Sequence, residues 1–316
     1  MATMDRKSIL ITGINGFVGT NLYHSMNSKI KIHGIDITTD NIKQNCTIYT
    51  WSDFSTLPKV DAIIHLAGLA HDTSNTTDLS KYNEINVGLT KRIFDYFLKS
   101  SARKFIFFSS VKAVADSVEG SILTELTKPN PKTPYGKSKL AAENYILSHC
   151  LPYNKKVYIL RPAMIHGFGN KGNLNLLFSM VQRGIPYPLG RYDNSRSFTS
   201  IKNLLFIVEQ FISREIKSGI YNICDDEPLS TVKIVEMIYD VLGTKPKILN
   251  LPKSLVQTLA AAGDFLRLPL NSERLKKMTE SYIVSNSEVK KTLMIKALPI
   301  LARDGMRLTI NSFSGK

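Results

Sequence analysis

The stretch from Ser8 to Gly19 limits what this chain can fold into more than any other. Ser8-Ile9-Leu10-Ile11-Thr12 has the apolar, β-branched character of a buried strand, and Phe17 to Asn27 reads as a helix. Between them lies Thr12-Gly13-Ile14-Asn15-Gly16-Phe17-Val18-Gly19, with glycines at every third position. As a bare string this spacing is weak. Between a strand and a helix it gains force, because each glycine has a mechanical task there. The tight turn, the approach of backbone to a diphosphate and the helix-to-strand contact each need a missing side chain. The helix start then offers free N–H groups to phosphate oxygens. A glycine-rich turn that binds nothing is the plain alternative.

The same strand–helix alternation continues along the first half. Lys31 to Asp36, Val60 to Leu66, Lys104 to Phe108 and Val157 to Arg161 read as strands. Helices are expected around Ile85 to Ser100 and over the stretch carrying Lys139. Apolar strands separated by helices indicate a parallel sheet covered on both faces. Beyond Pro162 the pattern breaks up, with Gly167, Gly169, Gly172, Gly184, Pro186, Pro188 and Gly190 close together, and a loop-rich region over a cleft is expected. Ile201 to Ile212 looks helical and Gly219 to Ile223 strand-like, and both are expected to rejoin the sheet. From about Leu229 the chain reads as mostly helical. The expected fold is α/β: a Rossmann-type doubly wound parallel sheet with a smaller, mostly helical substrate-binding domain. Residues 1–166 plus about 200–226 would form the first part, and 167–199 plus about 227–316 the cap.

Several side chains fall where such a sheet places ligands. Asp36 ends the second strand, 17 residues past Gly19. A carboxylate there accepts hydrogen bonds from ribose hydroxyls and repels a 2′-phosphate, which favours NAD over NADP. No arginine follows it directly; Lys43 and Arg6 are the cations that could fold back beside it. Asp53-Phe54 is placed to flank an adenine, or forms a surface loop. Leu66-Ala67-Gly68 closes a strand with small residues, as a site approached by a cofactor or a plain tight turn would. Ser109-Ser110 leaves a buried strand at its carboxyl edge. Tyr135-Gly136-Lys137-Ser138-Lys139 puts a phenol and an ammonium on one face of a helix. A cation beside a phenol favours its phenolate, so Tyr135 is expected to have a lowered pKa. A snorkelling surface pair is the bland alternative for an isolated match.

Together these residues resemble the extended short-chain dehydrogenase/reductases, specifically the nucleotide-sugar epimerase and reductase branch. The resemblance rests on Gly13/Gly16/Gly19, Asp36, Leu66-Ala67-Gly68, Asn86, Ser109-Ser110, Tyr135 to Lys139 and Arg161-Pro162. It continues through Gly167 to Asn173, Pro188-Leu189-Gly190 and Asn194 to Phe198, and so covers roughly residues 8 to 300. It implies catalytic roles for Ser110, Tyr135 and Lys139. It implies an NAD site formed by Gly13, Asn15, Gly16, Phe17, Val18, Gly19, Asp36, Asp53, Phe54, Leu66, Ala67, Gly68, Asn86, Ser109, Tyr135, Lys139, Pro162 and Met164. For the substrate it implies Ser110, Asn173, Leu189, Gly190 and Arg196, the last as a bidentate partner of the diphosphate. A homodimer through a four-helix contact including the Tyr135–Lys139 helix is also implied.

One departure narrows the chemistry. Nucleotide-sugar 4,6-dehydratases of this kind carry an Asp-Glu pair directly after the catalytic hydroxyl, since eliminating water needs an acid and a base. Here those places hold Val111 and Lys112. A second departure is His166, where this branch often has a tyrosine; it would touch substrate or be incidental. The expected activity is NAD-dependent 4-epimerisation of a UDP-sugar, with UDP-N-acetylhexosamines among the candidate substrates, through a transient 4-keto intermediate. A 4-ketoreductase of a UDP-4-keto-6-deoxy sugar uses the same residues, and a non-catalytic NAD-binding protein is the minor alternative. Cys46, Cys150 and Cys224 form no C-x-x-C, so neither a disulfide framework nor a metal site is expected. No signal-peptide pattern precedes the first strand and no apolar run is long enough to span a membrane; Leu255 to Leu270 is broken by Asp264 and Arg267. A cytoplasmic location is expected. The net charge of +15 is spread along the chain without a nucleic-acid-binding motif, which leaves an anionic small ligand or an anionic membrane surface as its expected counterpart.

Overall fold

The computed structural model describes residues 7–39, 45–69, 78–118, 120, 122–170, 172–266 and 271–314. Arg6 and Lys43 lie outside these residues, as does Arg267. The strands are β1 (Ser8–Thr12), β2 (Lys31–Ile35), β3 (Thr47–Tyr49), β4 (Ala62–His65), β5 (Lys104–Phe108), β6 (Lys156–Pro162), β7 (Met164–His166), β8 (Phe198–Ser200) and β9 (Gly219–Ile223). The helices are α1 (Phe17–Met26), α2 (Leu79–Tyr82), α3 (Gly88–Lys99), α4 (Pro134–Leu147), α5 (Asn173–Gln182), α6 (Ile201–Ser213), α7 (Thr231–Leu242), α8 (Lys253–Leu266), α9 (Ser272–Thr279), α10 (Ser287–Leu293) and α11 (Ala302–Phe313).

Seven strands form one sheet in the order β3-β2-β1-β4-β5-β6-β9, and every neighbouring pair is parallel. The strands lack a polar face because helices cover both sides. Ile9, Ile11, Ile64 and Ile106 pack with Leu22 of α1 and Ile207 and Phe211 of α6. The alternate residues Leu10, Ile63, Phe105 and Phe107 pack with Phe94 and Phe97 of α3 and Ala142 and Ile146 of α4. This two-sided burial explains the near-continuous apolar strands. Strand order reverses between β1 and β4, so the carboxyl ends of these strands open a crevice where such sheets bind ligands.

Three features depart from the sequence expectations. β3 went unread, because three half-exposed residues at a sheet edge carry no periodic signal. The helix expected over Ile85 to Ser100 starts earlier, at Leu79, and passes through a π-helical turn at Asn83–Val87 before α3. The segment after Pro162, expected to be loop-rich, also contains β7 paired with β8, and α5. Its glycines and prolines mask an apolar stripe at helical spacing: Leu174, Phe178 and Val181 are all buried. These join Tyr187, Ile234, Ile238, Met306 and Ile310 in a second core beside the sheet. Val289 and Leu293 of α10, by contrast, pack in the same core as Ile9 and Phe211.

Candidate active site

The β1–α1 turn is shaped so that backbone can approach a ligand. Gly13 adopts φ +70, and a Cβ there would fall 2.8 Å from the Ala67 nitrogen. A Cβ on Gly19 would lie 2.5 Å from the Gly13 carbonyl oxygen. Only glycine satisfies both places. Gly16 caps α1 without any side-chain hydrogen bond and is exposed. Asp36 arrives from the end of β2: one carboxylate oxygen accepts from the Asn15 N–H at 2.8 Å, the other from Ile37 N–H at 2.8 Å. The acidic group is thus locked beside the glycine turn. Phe17 lies beneath Gly167 and Gly169, and Asn21 Nδ2 donates to the Phe168 carbonyl at 3.3 Å. These contacts draw the loop after β7 across α1. A narrow turn, an amide-rich helix start and a fixed carboxylate fit the diphosphate and ribose of a dinucleotide.

The other half of the crevice is built on α4. Thr133 caps this helix, its Oγ1 accepting from Gly136 N–H at 3.2 Å, and Pro134 takes the first turn. The Asp116 carboxylate fixes the cap by accepting from Thr133 Oγ1 at 2.9 Å and Lys132 N–H at 2.6 Å. Tyr135 then faces the end of β5, and its phenol hydrogen-bonds the Ser110 side chain. One turn later, Lys139 Nζ donates to the Phe108 carbonyl at 2.9 Å and lies 5.2 Å from the centre of the Phe107 ring. Gly68 is adjacent: a Cβ there would sit 2.8 Å from Asn86 Oδ1 and 3.5 Å from Lys139 Nζ. The crevice therefore brings Gly68, Asn86, Ser110, Tyr135 and Lys139 together from four separate segments.

The electrostatics differ from the expectation in one respect. Burial pushes the Tyr135 phenol up to about 12, with the Ser110 hydrogen bond opposing and Tyr82, whose ring centre is 6.2 Å away, adding to the rise. The expected lowering by Lys139 does not appear. Burial also pulls the lysine down to about 8, against the opposing charge of Glu143. A partly discharged ammonium bound to a carbonyl cannot offset the desolvation of the phenol.

Asn86 sits within the π-helical turn, where the widened backbone turns its amide inward. Its Oδ1 accepts from Leu69 N–H at 2.7 Å, and its Nδ2 donates to Ser138 Oγ at 2.9 Å. His65, at the end of β4, supports the same corner. It is fully buried, with Nδ1 2.6 Å from Thr12 Oγ1 and Nε2 2.9 Å from Thr90 Oγ1. Thr90 Oγ1 donates to the Asn86 carbonyl at 2.6 Å, so it accepts from His65 Nε2–H. Thr12 Oγ1 accepts from Ala67 N–H at 3.2 Å and donates to His65 Nδ1. The neutral ring fits these bonds, and burial, with the Lys139 charge adding to it, holds this histidine at about 3.

Other expected site residues are placed differently. Ser109, expected to touch the cofactor, turns its hydroxyl to Glu143, which also pairs with Arg161. It therefore lies beneath the crevice. Asp53 accepts from Thr50 N–H at 2.6 Å and Thr50 Oγ1 at 2.7 Å, closing its own turn, and these bonds lower its pKa. Phe54 packs against Trp51 and Tyr96, with the Arg92 guanidinium 5.1 Å from its ring centre. Leu66 is half-buried behind the glycine turn, Val18 lies within α1, Pro162 ends β6 buried, and Met164 is exposed at the start of β7. Asn173 is the exposed first residue of α5. Leu189 packs in the second core, and Gly190 N–H donates to the Leu249 carbonyl at 3.0 Å. Arg196 is half-buried, its backbone bonded to Leu229 and its charge facing Tyr282 and Glu280. Lys112 Nζ donates to the Asp116 carbonyl at 2.8 Å and lies 4.4 Å from the centre of the Tyr282 ring. His166 is buried, with Nδ1 2.8 Å from Thr309 Oγ1 and Nε2 3.5 Å from Asp225, so it ties α11 to the sheet layer. Among the described residues no group of His, Cys, Asp or Glu forms a metal site. Glu143 and His65 went unread, although Glu143 stands one helical turn past Lys139 and His65 directly precedes Leu66-Ala67-Gly68.

Comparison with known proteins agrees with this geometry. Residues 9–224 match the model of the NAD dependent epimerase/dehydratase family. The UDP-glucose 4-epimerase of Vibrio cholerae is 28% identical over 329 aligned positions, covering 99% of this chain and 98% of the relative. The N-acetyl-alpha-D-glucosaminyl-diphospho-ditrans,octacis-undecaprenol 4-epimerase of Escherichia coli O157:H7 is 26% identical, covering 90% of this chain and 85% of the relative. Among solved structures, the UDP-glucuronic acid 4-epimerase from Bacillus cereus in complex with NAD superposes with a TM-score of 0.75 at 18% identity. That superposition covers 98% of this chain and 99% of the other, and shows the shared fold.

Proposed function

This chain belongs to the NAD-dependent epimerase/dehydratase family, and from that premise we propose that it interconverts the C4 epimers of a UDP-linked sugar. The observation that carries this reading is the hydrogen-bonded Tyr135–Ser110 pair one helical turn from Lys139, at the carboxyl edge of a sheet whose first turn fits a dinucleotide. NAD, when bound, supplies a hydride acceptor that returns the same hydride to the sugar. Gly13, Gly16, Asp36, Gly68 and Asn86 would hold it. Tyr135 takes the proton of the C4 hydroxyl, and Ser110 hydrogen-bonds the oxygen that becomes the C4 carbonyl. Lys139, one helical turn from the phenol, would hold the nicotinamide ribose. Arg196 is proposed to grip the diphosphate while the 4-keto sugar turns over and presents its other face.

Two further observations support the reading. The turn after Ser110 holds Val111 and Lys112 where dehydration would need two carboxylates, and Asp116 is engaged at the α4 cap. The 4-epimerases named above cover nearly the whole chain. No helix among the described residues is long and apolar enough to cross a membrane. A homodimer and the division into a dinucleotide part and a cap belong to the same proposal, on the family resemblance. N-acetylated hexoses are proposed as the preferred sugars.

Purified protein tests this directly. NAD is expected to remain bound, and UDP-GlcNAc or UDP-glucose should convert to its C4 epimer without added NADH. Consumption of NADH with a UDP-4-keto-6-deoxy sugar alone would mark a 4-ketoreductase instead. Tyr135→Phe should lower kcat by about 10²–10⁴-fold with cofactor binding retained. Unchanged turnover would remove Tyr135 from the chemistry.

A further inference from the structure

Three consecutive residues at the end of β5 are each tied to a different turn of α4. Ser110 bonds Tyr135, the Phe108 carbonyl accepts from Lys139 Nζ, and Ser109 Oγ donates to Glu143. Tyr135, Lys139 and Glu143 are spaced four apart and so share one helix face. The first two bonds lie in the crevice. The third lies beneath it and is anchored from the next strand: Arg161 of β6 donates Nε to Glu143 Oε1 at 2.9 Å and Nη2 to Oε2 at 2.5 Å. Glu143 is 0% exposed and Arg161 2%, so this is a fully buried bidentate pair.

A buried ion pair is costly to assemble and contributes little net stability against a well-packed apolar pair. Its presence under a catalytic helix therefore asks for another role. We propose that Glu143 is a positioning residue for Lys139. Braced by Ser109 and Arg161, it fixes the height of α4 against the strand edge and places a carboxylate one turn from the lysine ammonium. The groups facing Lys139 agree with this assignment. Tyr135 and Glu143 come from its own helix and neutral His65 from β4. Arg161 stands behind Glu143, with Glu125 behind Arg161. Glu143 is the one carboxylate among those charges that opposes the discharge of Lys139 by burial. Ser109 accordingly serves the brace and not the cofactor.

The inference rests on the role given to Lys139 above, and its test reads the lysine without any sugar. NAD-loaded protein is treated with acetic anhydride across a pH series, and acetylation of Lys139 is followed by mass spectrometry. Glu143→Gln keeps a hydrogen-bonding side chain but removes the charge. The labelling midpoint of Lys139 should move down by about one pH unit, which is tenfold in its ionisation constant. An unmoved midpoint overturns the proposal. Because Glu143→Gln leaves Arg161 unpaired, the double variant Glu143→Gln/Arg161→Gln is the second arm. Its midpoint should stay low; a return to the wild-type midpoint would assign the effect to the stranded arginine and overturn the proposal. Glu143→Asp restores the charge and should restore the midpoint. Where turnover is measured, the alkaline limb of kcat should follow the labelling midpoint while the sugar KM stays put. A normal midpoint shift with no epimerase activity would reject the proposed reaction and leave the positioning role standing.

Discussion

His65 shows how strongly one residue can bind the corner of this site to solution pH. Thr12 and Thr90 bracket its ring and pass its bonds on to Ala67 and the Asn86 carbonyl, and burial together with the nearby Lys139 charge keeps that ring neutral. The folded ring holds a pKa of about 3 against an ordinary 6.5. Its contribution is therefore fully present above pH 6.5 and is lost as the pH falls toward 3, because the unfolded chain binds a proton that the fold refuses. The linkage amounts to about 1.4 kcal/mol per pH unit. Between pH 6.5 and 5 the fold should lose about 2 kcal/mol through this group alone. Urea unfolding of wild type and His65→Gln at the two pH values measures it. The variant should be less stable at neutral pH, with a shallower loss on acidification; equal slopes would show that His65 does not govern acid stability. Tyr135 and Lys139 illustrate the complementary point, since burial moves both away from the ionisation their spacing implies.

At the scale of elements, two junctions hold the site. The first is the β1–α1 turn, where Gly19 brings the first turn of α1 onto the strand exit. A methyl group at this point meets the backbone of Gly13 and Ile14, which no rotamer change relieves. Gly19→Ala should therefore push α1 away from β1 and weaken NAD binding at least tenfold, with a cost of roughly 1–3 kcal/mol in stability. Cofactor titration followed by tryptophan fluorescence reads the first effect; wild-type affinity would contradict the account of this turn. The second junction is α4 against β5, closed by Tyr135, Lys139 and Glu143. The π-helical turn before α3 belongs with it, because it delivers Asn86 to Ser138 of α4.

At the scale of the whole molecule, the parallel sheet carries one crevice at its carboxyl edge and the helices beside it carry a separate core. α11 is the keystone of that core: Met306 and Ile310 are fully buried against α5 and α7, and Thr309 meets His166. Ile310→Ala should cost about 2–5 kcal/mol by cavity formation, read as a lower melting temperature. NAD binding, which uses the other core, should change little. Loss of NAD affinity equal to the loss of stability would show that the two cores unfold as one. Much of this molecule was legible in its sequence. The apolar strands, the glycine turn, Asp36, Ser110, Tyr135 and Lys139 carry local signals, because periodicity, turn chemistry and side-chain spacing act over a few residues. The tertiary structure alone decided the rest. It turned the Ser109 hydroxyl to Glu143, engaged Asp53 in its own turn, buried Leu189 and His166, and revealed α5 among glycines and prolines. It also joined Glu143 of α4, Arg161 of β6 and Ser109 just past β5 beneath the crevice. Such contacts and pKa values depend on which segments share the same low-dielectric space. The spacing of residues along one chain carries no record of that.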